Sequence, residues 1–300
     1  MSVKNQIPWA QARATNLANW EDRVPIHKQS YGLELFDNPE YISEGVRADI
    51  NVLMPFLSGI AGHPSVPLQG LKVCHLQCHI GTDTLSLSRF GADLVVGVDF
   101  SPAALEVASE LAQKHGTAGK MAWVQGDVMK ARALVTAALG DIEFDLVFTT
   151  TGTIEWLNDL NLWARQIYAL LKPGGLFYIH DSHPAMYTVD EQRPGPPVSV
   201  YPYFYGGKPI AIHEQTSYSG DGVLENDLTY TYPHPISTII NSLIMAGLQI
   251  ERMGEGRTIP WQYSPIMEEV SPGNYAWPAP FRDSIPVTFT LIARKPGLPA

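Results

Sequence analysis

The chain has 300 residues, a formal net charge of −10 and 45% hydrophobic residues. This acidic balance argues against a nucleic-acid backbone or an anionic membrane surface as partner and favours a small-molecule substrate. No apolar run approaches the ~18 residues of a membrane span, and we expect no secretory signal at the N-terminus. Because Cys74 and Cys78 lie too close in sequence to staple a fold, we expect a reducing, cytoplasmic environment.

The first part of the chain, residues 1–68, is expected to form a helical cap. One short helix is predicted to close near Asn16–Trp20. A second is predicted over Tyr41–Leu57, where apolar residues recur close to helical spacing. A turn-rich stretch then leads into the first strand.

Residues 69–182 alternate between short apolar runs and helical patterns. A strand, a turn, a helix and a second strand fall within about thirty residues, the length of one parallel βαβ unit. Ligands of such sheets bind at the carboxyl ends of the strands, and Asp99 closes the second strand, where it can accept hydrogen bonds from ribose hydroxyls. Strands are predicted at Leu71–Leu76, Leu94–Val98, Met121–Val124, Phe144–Phe148 and Leu176–Ile179, and helices at Thr82–Phe90, from Ser101 to about His115, through the early 130s and at Trp156–Leu171.

The alternation stops over residues 183–234, which are rich in Tyr, Pro and Gly. This segment holds candidate antiparallel strands such as Leu228–Tyr232 and is interpreted as an insertion that covers the carboxyl edge of the sheet.

Residues 235–300 return to the sheet pattern. A helix is predicted at Pro235–Ala246, a sixth strand at Leu248–Arg252 and a last strand at Val287–Ala293, which is expected to be antiparallel because no helix precedes it. The predicted fold is therefore α/β, Rossmann-like and doubly wound. Its seven-stranded sheet is mainly parallel with an antiparallel last strand, and it carries a helical cap and a lid insertion.

Five motifs in this order resemble the class I S-adenosylmethionine-dependent methyltransferases. They are VCHLQCHIGTDT, VVGVDFS, VQGDV, FDLVFTTTGTIEWL and LLKPGGLFYI. The segments LQCHIGTDTLSL and PHPISTIINSLIMAGL resemble one small-molecule branch of this family, whose members mostly have no assigned substrate. The resemblance covers nearly the whole chain.

The resemblance implies S-adenosylmethionine as the cofactor. Asp99 would hold the ribose, Asp127 would contact the adenine amino group, and the turn from Gln77 to Thr84 would hold the methionine part. The full set of expected cofactor residues is Tyr31, Gln77, Cys78, His79, Gly81, Thr84, Asp99, Phe100, Ser101, Gly126, Asp127, Val128, Thr149 and Thr150.

The first motif departs from the family pattern, acid-x-Gly-x-Gly-x-Gly. Those positions are His75, Gln77, His79 and Gly81 here, so only the last glycine is kept. The acid missing at His75 is the one that often engages the methionine amino group. Asp83 and Gln77 are the two candidates to replace it.

Several of these residues also have purely structural interpretations. Asp99 could cap the helix beyond its strand, and Asp127 could be the N-cap of the next helix. Cys74, His75, Cys78 and His79 are all good zinc ligands. Neighbours on a strand point to opposite faces, however, so the first two cannot readily share a metal and we expect none.

His180, Asp181 and His183 leave the fifth strand where the substrate is expected. A His–Asp pair could deprotonate the acceptor before it attacks the methyl group. The alternative, slightly favoured, is that Asp181 and His183 only shape the turn into the insertion. Methyl transfer often needs little beyond proximity and alignment.

The sequence thus predicts methyl transfer to a nitrogen, oxygen or carbon of a small metabolite, expected to be aromatic. One alternative is a non-catalytic protein of the same fold that binds S-adenosylmethionine or a nucleoside. A nicotinamide-dependent oxidoreductase is disfavoured because Gln77 and His79 stand where G-x-G-x-x-G needs glycines. The substrate, the methylated atom, the presence of a general base and the oligomeric state stay open.

Overall fold

A seven-stranded sheet lies at the centre of this computed structural model, which describes residues 7–61, 66–206 and 208–297. The helices are α1 (Trp9–Ser30), α2 (Glu44–Ala61), α3 (Thr82–Arg89), α4 (Pro102–Lys114), α5 (Ala131–Leu139), α6 (Leu160–Leu170) and α7 (Ile236–Met245). The strands are β1 (Lys72–Leu76), β2 (Leu94–Asp99), β3 (Met121–Gln125), β4 (Phe144–Thr150), β5 (Leu171–Ser182), β6 (Ile210–His213), β7 (Leu228–Thr231), β8 (Gln249–Gly256), β9 (Glu268–Ser271), β10 (Asn274–Ala276) and β11 (Thr288–Arg294).

The strand order of the central sheet is β3-β2-β1-β4-β5-β11-β8. Strands β1 to β5 pair in parallel, whereas β11 runs antiparallel to both of its neighbours, β5 and β8. The predicted α/β fold with an antiparallel last strand is therefore confirmed. The chain reverses its direction of winding between β1 and β4, and ligands of open α/β sheets bind beside such a switch point.

Helices cover both faces of the sheet, as nearly continuous apolar strands require. Successive residues of β1 belong to opposite faces. Val73 packs with Ile50 and Leu53 of α2, and Cys74 packs on the other face in the cluster that includes Trp163 of α6. No helix in the described ranges is both long and apolar enough to cross a membrane.

Helix α1 is much longer than the short helix predicted near Asn16–Trp20, spanning 22 residues. The sequence does not reveal the full length of α1 because the buried face of this helix carries polar side chains at helical spacing: Asn16, Asn19, Arg23 and His27. Helix α1 therefore lacks the regular spacing of apolar residues by which an amphipathic helix is predicted. Other boundaries differ less, the largest difference being at β5, which begins at Leu171 rather than Leu176. Helix α6 begins at Leu160 rather than Trp156 because the Asp159 side chain accepts a hydrogen bond from the Leu162 amide.

The insertion and α1 are joined by polar contacts. Strands β6 and β7 form an antiparallel pair, which agrees with the strand predicted at Leu228–Tyr232. The Asn16 side chain donates to the Tyr230 carbonyl at 2.8 Å and accepts from the Tyr230 amide at 2.7 Å, so it extends the backbone bonding of β7. Arg23, itself buried, forms an ion pair of 2.9 Å with Glu214. These contacts fix the insertion over the first helix.

Candidate cofactor and substrate site

A cavity of about 1420 Å³ lies at the carboxyl ends of the parallel strands. Its walls come from the turns after the strands, from α1 and α2, and from the insertion. Gly81, Thr84 and Thr149 are outside its lining, whereas the other predicted cofactor residues line it: Tyr31, Gln77, Cys78, His79, Asp99, Phe100, Ser101, Gly126, Asp127, Val128 and Thr150.

The turn after β1 keeps a glycine-like backbone without the glycines. Gln77 and His79 have φ angles of 56° and 48°, in the left-handed region that costs an ordinary residue about 1 kcal/mol or more. Tertiary contacts hold them there. The Gln77 side chain donates to the Thr153 carbonyl at 2.8 Å, and the His79 amide donates to Asp99 at 2.9 Å. Gly81 has a separate constraint, since a Cβ there would lie 2.7 Å from the Ala108 side chain.

Asp99 and Asp127 each combine a structural contact with a place in the cavity wall. Asp99 accepts hydrogen bonds from the amides of His79 and Ser101, and burial raises the pKa of its carboxyl to about 6. Asp127 accepts from the Met129 amide at 2.9 Å and lies 3.8 Å from Arg13. Asp127 is the N-cap of the short 3-10 helix that follows it, whereas the N-cap of α4 is Ser101 and not Asp99. Both carboxylates keep further lone pairs at the cavity.

The polar groups follow the strand order along the cavity. Asp127 comes after β3, Asp99 ends β2, Gln77 follows β1, Thr150 ends β4 and His180 lies on β5. With neighbouring strands ~4.8 Å apart, the row from β3 to β5 spans about 19 Å. This is an elongated site with hydrogen-bond acceptors along one wall.

Helix α1 and the insertion close over the turn after β1. His27 Nδ1 lies 2.8 Å from His79 Nε2, and His27 Nε2 lies 2.8 Å from the Ser217 hydroxyl. Tyr31 is hydrogen-bonded to Tyr218 through their hydroxyl groups. Burial, reinforced by Arg23 and, at His79, by His27, lowers the pKa of His27 to about 4 and that of His79 to about 3. Both rings are therefore neutral at pH 7.

Two of the three predicted catalytic residues lie outside the cavity lining. Asp181 accepts hydrogen bonds from the Gly152, Thr153, Ile154 and Ser182 amides and from the Thr153 hydroxyl, so it organises the turn after β4. His183 accepts from the Ala185 amide and lies 3.1 Å from Glu255. The suggested pairing of His180 with Asp181 is wrong, because these neighbours occupy opposite faces of β5.

The carboxylate that pairs with His180 is Asp49 of α2. Asp49 Oδ1 lies 2.8 Å from His180 Nδ1 and also accepts from the Tyr178 hydroxyl at 2.7 Å. Burial lowers the pKa of His180, but the hydrogen bond and charge of Asp49 outweigh it and raise the pKa above its ordinary value. His180 lines the cavity, and its second nitrogen has no protein partner among the described residues.

Asp49 lies outside the sequence motifs, but the sequence does carry a signal for it. It lies three residues after Val46 and four before Leu53, so a carboxylate interrupts the apolar face of α2. Trp20 and Tyr218 also line the cavity without a sequence pattern that marks them. Trp156 and Trp261 line the cavity as well, whereas Trp277 is fully buried in another cluster.

The cysteines and histidines of the first motif are separated by the fold. Cys74 packs in the core, and His75 on the opposite face is hydrogen-bonded to Thr84 at 2.9 Å. Within the described ranges, no group of three or more His, Cys, Asp and Glu side chains is arranged to hold a metal ion.

Comparison with known proteins identifies part of the chain. Residues 73–175 match the family model described as a methyltransferase domain. The match covers about a third of the chain. The matched span runs from β1 into β5 and includes the turn after β1, Asp99 and Asp127.

Similar proteins agree with this assignment. A sterol 24-C-methyltransferase of Aspergillus fumigatus is 28% identical over 42% of this chain and 33% of its own length. A ubiquinone biosynthesis O-methyltransferase of Brucella melitensis is 31% identical over 38% of this chain and 42% of its own length. The match to the first of these relatives thus spans about a third of that protein's length.

The methyltransferase fold extends well beyond the matched segment. The crystal structure of a putative S-adenosylmethionine-dependent methyltransferase from Listeria monocytogenes has a TM-score of 0.56 at 16% identity, covering 84% of this chain and 98% of the other. At this identity the likeness concerns the fold.

The residues in the cavity wall fit S-adenosylmethionine. Carboxylates after β2 and β3 can accept hydrogen bonds from hydroxyl and amino groups, and the turn after β1 has the backbone that a glycine-rich motif would give. The cavity also exceeds the ~300–1,000 Å³ of a pocket for one small ligand. It has room for a cofactor and an acceptor together.

Proposed function

We propose that this protein is an S-adenosylmethionine-dependent methyltransferase that acts on a nitrogen, oxygen or carbon atom of a small metabolite. The observation that carries the proposal is the joint position of Asp99, at the end of β2, and Asp127, after β3, in the wall of one cavity within the span that matches a methyltransferase domain. The cofactor supplies an activated methyl group on its sulfonium.

The chain's residues bind and orient the two reactants. Asp99 accepts hydrogen bonds from the ribose hydroxyls, and Asp127 accepts from the adenine amino group. The turn beginning at Gln77 encloses the methionine part. Helix α1 and the insertion, joined through His27 and Ser217, exclude water from the reacting atoms. Proximity and alignment then supply most of the rate enhancement, since the leaving group is already activated.

His180 is the group best suited to accept a proton from the methyl acceptor. Asp49 fixes the ring through Nδ1, which leaves Nε2 for the substrate. The hydrogen bond from Tyr178 to Asp49 in turn holds the carboxylate. General-base assistance of this kind contributes about 10²–10⁴ in rate. It applies to nitrogen and oxygen acceptors, whose proton must leave.

The acceptor is proposed to be small and aromatic. Trp20, Trp156, Trp261 and Tyr218 line the cavity, and aromatic walls bind flat apolar groups through large contact areas. The negative net charge of the protein supports a small molecule rather than a nucleic acid. Both cysteines are buried free thiols, which supports a cytoplasmic location.

Calorimetric titration with S-adenosylmethionine, S-adenosylhomocysteine and NADH tests the cofactor assignment. We expect binding of the first two and no heat with NADH. Binding of NADH alone would overturn the proposal in favour of an oxidoreductase. Binding of both adenosyl ligands without turnover on a broad set of aromatic amines and phenols would favour a non-catalytic binding protein.

A further inference from the structure

Asp83, in the first turn of α3, presents a carboxylate to the cavity that is held by hydroxyl groups alone. Ser43 Oγ donates to Oδ1 at 3.0 Å, and Thr150 Oγ1 donates to Oδ2 at 3.1 Å. In the described part of the chain, neither oxygen accepts from a backbone amide or pairs with Lys or Arg. Asp181, by contrast, is saturated by backbone amides and has a structural role.

The location of Asp83 is the switch point between β1 and β4. Thr150, which ends β4, lies 3.1 Å from Asp83 and 3.4 Å from His75 Nε2. The Thr150 hydroxyl thus lies between Asp83 and His75, and His75 is the position where the first motif lacks its acid. His75 cannot supply a charge itself, because burial lowers the pKa of its ring to about 3.

The surroundings of Asp83 favour a cation. Burial raises the pKa of its carboxyl, although the hydrogen bonds from Ser43 and Thr150 act to lower it. The protein therefore does not fully offset the cost of burying the charged form. A buried carboxylate is stabilised when a positive charge approaches within hydrogen-bonding distance. The cavity beside it offers the space for such a group.

Gln77 is the weaker of the two candidates to replace the missing acid. Its side-chain amide donates to the Thr153 carbonyl, which fixes the side chain against the turn after β4. Its Oε1 is buried without a hydrogen-bond partner among the residues that the structure describes, but the group is neutral. A carboxylate binds an ammonium group more strongly than an amide oxygen does.

We propose that Asp83 binds the α-ammonium group of the cofactor's amino-acid moiety, in place of the acid that is absent at His75. This inference rests on the proposed function, since it concerns the same cofactor. Ser43 and Thr150 act as positioning residues that hold the carboxylate toward the cavity. The chain thus moves the ammonium-binding acid from the end of β1 to the first turn of the following helix.

A pair of ligands isolates this contact. S-adenosylhomocysteine carries the ammonium group, whereas 5′-methylthioadenosine has the same nucleoside and thioether without the amino-acid part. The test is calorimetric titration of wild-type protein and Asp83→Asn with both ligands. We expect the variant to lose about 10- to 100-fold in affinity for S-adenosylhomocysteine, the value of a charge-assisted hydrogen bond, and to keep its affinity for 5′-methylthioadenosine within about threefold.

Asp127→Asn is the matched control, because it alters a carboxylate at the nucleoside end of the same cavity. It should weaken both ligands alike. Circular dichroism and thermal melting of both variants check that they fold. An equal loss of both ligands in Asp83→Asn, or no loss of either, would overturn the inference. Failure of wild-type protein to bind either ligand would instead refute the proposed function.

Discussion

His180 and Asp49 form a hydrogen-bonded pair of 2.8 Å in the wall of the cavity, although 131 residues separate them in sequence. The pair resembles the arrangement by which a carboxylate orients an imidazole for proton transfer. Because Asp49 belongs to α2, a helix that precedes the first strand of the sheet contributes a carboxylate to the cavity wall.

Replacing His180 should slow methyl transfer without weakening cofactor binding. We expect His180→Gln to lower kcat by about 10²-fold or more on a nitrogen or oxygen acceptor, since a general base is lost. Steady-state kinetics gives kcat, and titration with S-adenosylhomocysteine should give an unchanged Kd. An unaltered kcat would exclude His180 as the base.

Asp49→Asn should shift the pH dependence of the reaction. The base acts in its neutral form, so the rate falls as pH falls through the pKa of His180. Asp49 raises that pKa, and without its hydrogen bond and charge the lowering of the pKa by burial is opposed only by the smaller effects of Asp181 and Asp83. The acid limb of kcat should therefore move to lower pH in the variant, with a smaller kcat on the plateau. A limb that stays in place would show that another group titrates.

Cofactor affinity should depend on the ionisation of Asp99. Burial raises the pKa of this carboxyl to about 6, and the protonated form loses its charge as a hydrogen-bond acceptor for ribose. The Kd of S-adenosylhomocysteine should rise as pH falls through about 6. Asp99→Asn should bind about 10- to 100-fold more weakly at pH 8 and lose most of this pH dependence. A variant with wild-type affinity would contradict the assigned role.

The missing glycines of the turn after β1 should matter little for cofactor binding. Gln77 already has a φ of 56°, so Gln77→Gly preserves the backbone and should keep the Kd of S-adenosylhomocysteine within about threefold. Gln77→Val should bind far more weakly, because a β-branched side chain strongly disfavours the left-handed region. Equal affinities for the two variants would show that the turn does not need this conformation.

Acid should weaken the closure of α1 over this turn. The pKa values of His27 and His79 are about 4 and 3 in the folded state, below the ordinary value of 6.5. Between pH 6.5 and 4 the unfolded chain binds more protons, so stability is lost as pH falls, by up to about 1.4 kcal/mol per pH unit for each histidine. Urea unfolding at stepped pH should show this loss, and His27→Gln should reduce it. An identical slope in the variant would contradict the assignment.

The fold could be predicted because its elements are marked by local patterns. Strand β4 is a buried apolar run, and Ser101 and Pro102 mark the start of α4 with a side-chain cap to the Ala104 amide. Helix α1 was predicted too short because Asn16 and Asn19 form its buried face. Their partners lie more than 200 residues away in the insertion, where no local pattern reveals them.

The site could be predicted in part for the same reason. Asp99 ends β2 and Asp127 closely follows β3, so their place at the carboxyl edge follows from the parallel sheet. Asp49 belongs to the site because the packing of α2 brings its carboxylate to His180. Asp181 does not line the cavity, because its carboxylate accepts hydrogen bonds from the amides of the turn after β4. The spacing of Asp49 places it on the buried face of α2, but the partners of the two carboxylates do not follow from local spacing.

Methyl transfer itself is the central claim, and a product assay tests it most directly. Purified protein would be incubated with S-adenosylmethionine carrying a deuterated methyl group and a set of small aromatic amines, phenols and carbon acids, with His180→Gln in parallel. We expect S-adenosylhomocysteine to form together with one acceptor whose mass increases by a deuterated methyl group, more slowly with the variant. Cofactor that binds tightly but is never converted, with every acceptor unchanged, would contradict the account.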